Sequence, residues 1–236
     1  MDIYCHDCGA PYSVIIWIHG GGWTNGSKDV LPCPQLGAAL ALAGHVVVIP
    51  NFRMEGDGDW PLSYNDMVKA VKYVMREIRK YKGGPDKIVI GGHSAGGHIA
   101  SYLALRSTSL VDPEEYNYPI AGCFPVSGIF DLGECSEWTI TNRVIPEFGD
   151  DPDDWDAASP INWVEGETVP FLLLYAENDS DEIIDGTAAF NSALTAYPAN
   201  DITLTELEGE GHISELLGDP PPIVPHIDTF VQYLLW

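Results

Sequence analysis

The chain has 236 residues, 45% of them apolar, and sets 35 acidic against 11 basic side chains for a formal charge of −24. A field of that sign argues against nucleic acid and anionic membrane surfaces as partners. No run reaches the ~18 apolar residues that a transmembrane helix needs.

The five cysteines are odd in number and scattered, so they describe no disulfide framework. Cys5 and Cys8 have a C-x-x-C spacing, but no second ligand pair of matching spacing follows, so no metal site is expected there. Cys123 lies in an apolar run and reads as core. Met1–Cys5 has neither the basic region nor the apolar segment of a signal peptide. A cytoplasmic protein is expected, or a secreted one whose leader has been removed.

In chain order, residues 14–18 form a continuous apolar strand, and His19-Gly20-Gly21-Gly22-Trp23 follows at once. A short helix over 35–43 ends at Gly44, and a second strand spans 46–49. Residues 61–82 carry the clearest helical period, with Met67, Val68, Val71, Val74, Met75 and Ile78 on one face. Its other face holds most of the seven cations found between Lys69 and Lys87, a solvated face rather than a binding patch. Gly83-Gly84-Pro85 is expected to break the chain before a strand over 88–90.

That strand runs into Gly92-His93-Ser94-Ala95-Gly96, a G-x-S-x-G followed by a helix of small and apolar residues. Turning at once from strand to helix demands a sharp bend. The glycines leave room where a Cβ would collide, Ser94 is held out on the elbow, and the Ala95 N–H points the same way.

A fourth strand spans 120–126. Residues 130–160 lose periodicity and turn acidic, too long for a simple connection, and read as a small cap. Strands at 171–175 and 202–206, a helix at 182–197, the Pro220–Pro222 interruption and a last helix at 225–235 complete the chain. Strands alternating with helices predict an α/β fold: one domain over 1–236, a mostly parallel sheet covered on both faces.

Sites in such sheets lie beyond the carboxyl ends of the strands. There the chain places a glycine loop, a serine, a carboxylate (Asp179) and an imidazole (His212). A serine hydroxyl becomes a nucleophile when a base takes its proton, a task suited to His212. Asp179 would fix the imidazole through Nδ1–H. The N–H groups of Gly21, Gly22 and Ala95 would receive an oxyanion, each donor worth ~3 kcal/mol of barrier. Glu177 and Asp181 compete with Asp179 in the same loop, and His226 with His212. His93 is expected to pack beneath the elbow, His98 flanks it, His19 braces the glycine loop, and Asp131 is a minor acid candidate. Trp23, Trp138 and Trp155 are the aromatic candidates for lining a substrate pocket.

These residues, in this order, resemble the α/β-hydrolase superfamily, in particular serine carboxylesterases with an HGGGW loop and a GHSAGG elbow. The resemblance runs from about residue 14 to the C-terminus. His93 stands where the hormone-sensitive-lipase-like branch usually has Asp, so the motifs look closer to the feruloyl-esterase, acetyl-esterase and kynurenine-formamidase-like branches. Only eighteen residues precede His19, where the family usually places two or more antiparallel strands; either the fold is reduced at its front or the sequence is an N-terminally shortened copy, with Ile3-Tyr4 left from one strand. The resemblance implies hydrolysis of carboxylic esters through an acyl-enzyme without metal or organic cofactor, and a cap too short for a long acyl tunnel points to short-chain or aromatic acyl esters, feruloyl-type included. The ester would be a small molecule or linked to a polymer. The alternatives are a formamide or amide hydrolase and a non-catalytic binding protein on the same scaffold. A homodimer is left open.

Overall fold

The computed structural model describes residues 1–6, 12–54, 60–106 and 120–235. Seven strands among them form one sheet: β1 (Asp2–Tyr4), β2 (Tyr12–Ile18), β3 (Val46–Ile49), β4 (Gly83–His93), β5 (Gly122–Val126), β6 (Phe171–Ala176) and β7 (Ile202–Leu207), in the order β1-β3-β2-β4-β5-β6-β7. β1 is antiparallel to β3, and every other pair is parallel. Ile3-Tyr4 does belong to a front strand, paired with Val47 and Val48.

The β2 run is apolar without alternation because helices cover both faces. Val14, Ile16 and Ile18 face one core, shared with Met67, Val71 and Val74 of α2 (Leu62–Glu77) and Ile99 and Leu103 of α3 (Ala95–Leu105). Ile15 and Trp17 face the other, with Leu36 and Leu40 of α1 (Cys33–Leu42) and Ile227 and Phe230 of the C-terminal helix over Val224–Leu235. Cys123 is fully buried in the first core.

Two boundaries differ from expectation. Gly83-Gly84-Pro85 is no break: β4 begins at Gly83, which pairs with Tyr12 across a register shift in β2. The turn sits one residue earlier, at Lys82, whose φ of 67° is left-handed. The helix expected over 61–82 ends at Glu77 and tightens into a 3-10 turn over Ile78–Tyr81, because that left-handed residue closes the chain there.

Between β5 and β6 the expected cap region is a chain of short pieces: α4 (Glu137–Thr139), a π turn (Ile140–Val144), α5 (Ile145–Phe148), α6 (Pro152–Ala158) and a 3-10 turn (Pro160–Trp163). It is tied to the body by Trp60 N–H donating to the Glu147 carbonyl and Ser63 Oγ donating to Glu147 Oε1 at 2.6 Å. His98 of α3 also donates to the Ala158 carbonyl. The last two helices are α7 (Asp181–Thr195) and α8 (Val224–Leu235). Among the described residues no helix is long and apolar enough to cross a membrane.

The topology reverses between β2 and β4. From β2 the chain crosses to β3 on one side, then passes through α2 to β4 on the other. A crevice opens at such a switch point, and the glycine loop after β2 and the elbow after β4 line it.

Candidate active site

Ser94 sits at the end of β4 with φ 54° and ψ −120°, left-handed backbone that a non-glycine residue rarely adopts. Its N–H donates to the Val126 carbonyl of β5 and its carbonyl accepts from His98 N–H, so sheet and helix hold the elbow from opposite ends. Space matters as much as dihedrals. A Cβ on Gly92 would lie 2.5 Å from the Gly96 carbonyl oxygen, and one on Gly96 would lie 2.1 Å from that of Ile18. The first turn of α3 therefore rests directly on β2.

Asp179 follows β6 and His212 follows β7. His212 Nδ1–H donates to Asp179 Oδ1 at 2.7 Å. This leaves Nε2 as the lone-pair nitrogen, in a cavity of about 570 Å³ whose wall also holds Ser94. Among the described residues no hydrogen bond joins the Ser94 hydroxyl to His212; such contacts commonly tighten only when substrate is present. Asp179 Oδ2 accepts from Ser127 Oγ at 2.6 Å and from Ala176 N–H at 2.9 Å. Burial raises the Asp179 pKa, but the hydrogen bonds from His212, Ser127 and Ala176 outweigh it, and the net shift is downward. The carboxylate is thus charged and fully engaged at neutral pH.

The competing acids are placed elsewhere. Glu177 accepts from Gly209 N–H, Asp181 lies in the exposed first turn of α7, and Asp131 accepts from Gly133 N–H beside a separate cavity. His226 is exposed on α8.

The glycine loop turns with φ of 127° at Gly21 and 59° at Gly22. His19 is buried beneath it, stacks on Phe52, and donates from Nδ1 to the Gly20 carbonyl. The N–H groups of Gly21, Gly22 and Ala95 donate to no group among the described residues. All three residues stand by Ser94: Gly21 and Gly22 line the same cavity, and Ala95 is the next residue in the chain.

His93 packs under the site. It is buried, and its Nε2–H donates to the His212 carbonyl at 2.6 Å. Burial, with the neighbouring His212 adding to it, pushes its pKa down to about 3, so the ring is neutral. Close by, Glu215 is fully buried, its Oε1 3.2 Å from His93 Nε2. Burial raises its pKa to about 8, so it is a neutral acid at pH 7. His93, His212 and Glu215 form the one cluster of three metal-ligand types among the described residues. In this arrangement His93 Nε2 and His212 Nδ1 carry protons donated to oxygens and are not ligands, whereas His212 Nε2 keeps its lone pair.

Of the aromatic candidates, Trp138 is 62% exposed and lines the cavity mouth. Trp23 also borders the cavity, but its ring is buried and packs edge-on against His98 and Phe148. Trp155, expected at the pocket, is not among the described residues that line this cavity. Its indole N–H donates to the Gly149 carbonyl and the ring packs on the core edge, because α6 turns it away from the crevice.

Three residues of the site were not anticipated. Ser127 follows β5, on the same rim as the others, so the strand-end rule points to it. Glu215 lies one helical turn past His212. Arg143 comes from the aperiodic cap segment and left no periodic signal.

A family model described as BD-FAE matches residues 1–194. Among curated relatives, Esterase LipQ of Mycobacterium tuberculosis (strain ATCC 25618 / H37Rv) is 29% identical over 215 residues, covering 86% of this chain and 50% of the relative. The chain spans about half the length of the curated relatives it matches. A solved structure described as a truncated form of carbohydrate esterase from gut microbiota superposes with a TM-score of 0.80 at 18% identity, covering 98% of this chain and 89% of the other. A phosphonate-inhibited Esterase B from Lactobacillus rhamnosis gives 0.83 at 20% identity, covering 96% and 77%. Likeness at that level establishes the fold these chains share.

Proposed function

The chain belongs to the BD-FAE family and has the α/β-hydrolase fold, and from that premise we propose that it hydrolyses carboxylic esters through an acyl-enzyme on Ser94. One observation carries the reading: His212 has its Nδ1 proton committed to Asp179 at 2.7 Å and its Nε2 left for a cavity shared with Ser94.

In the proposed reaction His212 Nε2 takes the Ser94 proton as Oγ attacks the ester carbonyl. Asp179, charged and hydrogen-bonded, stabilises the imidazolium that forms and holds its tautomer. The carbonyl oxygen becomes an oxyanion facing the N–H groups of Gly21, Gly22 and Ala95, which have no competing acceptor among the described residues. As the tetrahedral species collapses, the imidazolium gives its proton to the departing alcohol. Water then repeats the sequence on the acyl-enzyme, returning Ser94 and releasing the acid.

The cavity mouth is apolar: Val30, Leu31, Trp138 and Ile213 all line it and are all exposed. Such a rim supports short or aromatic acyl groups, and an ester still attached to a polymer would meet no wall there. The relatives and structures named above are all esterases by name, which favours an ester over a formamide. Turnover of p-nitrophenyl acetate tests the proposal, with Ser94→Ala as the control. Equal rates for the two proteins would remove it.

A further inference from the structure

Among the residues lining the cavity there is one Lys or Arg, Arg143. Lys28, Arg53, Lys69, Arg76 and Lys80 each meet a carboxylate, whereas Arg143 forms no ion pair among the described residues. Its Nη1 donates instead to the neutral Thr24 Oγ1 at 2.5 Å, and its guanidinium carbon lies 5.4 Å from the centre of the Trp138 ring. The acid that shares the cavity wall, Glu182, is engaged elsewhere: it accepts from Ser136 N–H at 2.7 Å and Thr139 Oγ1 at 2.9 Å.

The placement of Arg143 is built in. It stands on the π turn of the cap, a local irregularity that often marks functional positions. Its stem crosses the glycine loop where a Cβ on Gly22 would lie 2.7 Å from Arg143 Cδ. The guanidinium is thereby fixed beside the amides proposed to receive the oxyanion, next to an exposed indole face.

We propose that Arg143 and Trp138 form a subsite for a carboxylate carried by the substrate, so that the preferred esters are singly charged anions with a ring or short chain lying on Trp138. The proposal rests on the ester-hydrolase reading and names its substrate class. A planar guanidinium with donors to spare matches a carboxylate, and an indole beside it offers a stacking face. The −24 field repels multivalent anions more than single ones, which favours a carboxylate over a phosphate. The carboxylate has two possible sources, the acyl part or the alcohol part, and substrates separate them.

The acyl arm compares the p-nitrophenyl monoester of succinic acid with the same compound methylated on its free carboxyl. The alcohol arm compares 4-acetoxybenzoate with 4-acetoxybenzamide. Each pair is run on the wild type, R143Q and R143K, with melting curves to show that the variants fold. The anionic-to-neutral ratio of kcat/KM should fall about tenfold or more from wild type to R143Q in at least one arm, chiefly through KM. R143K should lie between them, and about 0.5 M salt should shrink the wild-type ratio. A ratio unchanged within about twofold in both arms overturns the subsite. So does an equal loss on both members of each pair, which would make Arg143 a brace for Gly22. If the wild type turns over no ester and Ser94 takes no fluorophosphonate label, the hydrolase reading fails instead. Calorimetric titration with benzoate against benzamide then still reads the subsite, and equal binding to wild type and R143Q overturns it.

Discussion

His93 Nε2 donates to the backbone carbonyl of His212 at 2.6 Å, across 119 residues of chain. The residue just before the elbow serine thus holds the main chain of the residue that would act as its base. The side chain of His212 is held separately, by Asp179. Ring and backbone are fixed from two strands, β4 and β6, so small errors in either are not absorbed by the loop after β7.

Replacing His93 with Ala should therefore reduce kcat/KM by about 10- to 100-fold, the worth of a buried carbonyl left without its donor. His93→Asn, which can still donate from its amide, should recover part of the loss. Steady-state kinetics on p-nitrophenyl acetate measure it. A change below twofold in H93A would show that the bond does not position His212.

Asp179→Asn keeps the shape of the site but removes the charge proposed to stabilise the imidazolium. A loss of about 10³–10⁴ in kcat is expected. Asp181→Asn, in the exposed first turn of α7, should stay within about twofold. If D181N were the damaging variant, the acid would have been misassigned.

Glu215 sets a pH dependence of stability. Its folded pKa is about 8, raised from 4.5 by burial, with Asp179 and Glu210 adding repulsion and Ser127 and His212 opposing; His93 faces it as a neutral ring. Between those pH values the folded state holds a proton that the unfolded chain has released. Stability then falls as pH rises through the window, by about 1.4 kcal/mol per pH unit from this group alone, and levels off above it. Glu215→Gln carries no proton to lose. Urea melts between pH 5 and 8 should give a flatter profile for E215Q than for the wild type, whereas parallel profiles would contradict the assignment.

Gly96 has no room for a side chain. A Cβ there would lie 2.1 Å from the Ile18 carbonyl oxygen and 2.6 Å from that of His19, both backbone atoms. Gly96→Ala must push α3 off β2, at a cost of about 3 kcal/mol or more. Denaturant unfolding measures it. A variant as stable as wild type would mean that helix and strand are less tightly seated than the structure shows.

The sequence by itself determined the α/β alternation, the elbow, and which strand ends bear the candidate site residues. These follow from local rules: β-branched apolar runs, helical periodicity, and glycines where a turn admits no Cβ. It also ordered the glycine loop, Ser94, Asp179 and His212 along the chain, because each directly follows a strand whose end lies on one rim. Tertiary structure alone decided the rest. Glu215 looks like one more surface acid until folding buries it beside His93, and Arg143 looks like one cation in an aperiodic segment until the cap lays it over Gly22. Trp155 has the composition of a pocket residue, yet α6 turns it onto the core. Burial and pairing depend on which distant segments arrive together, and no period or spacing in a single segment encodes that meeting.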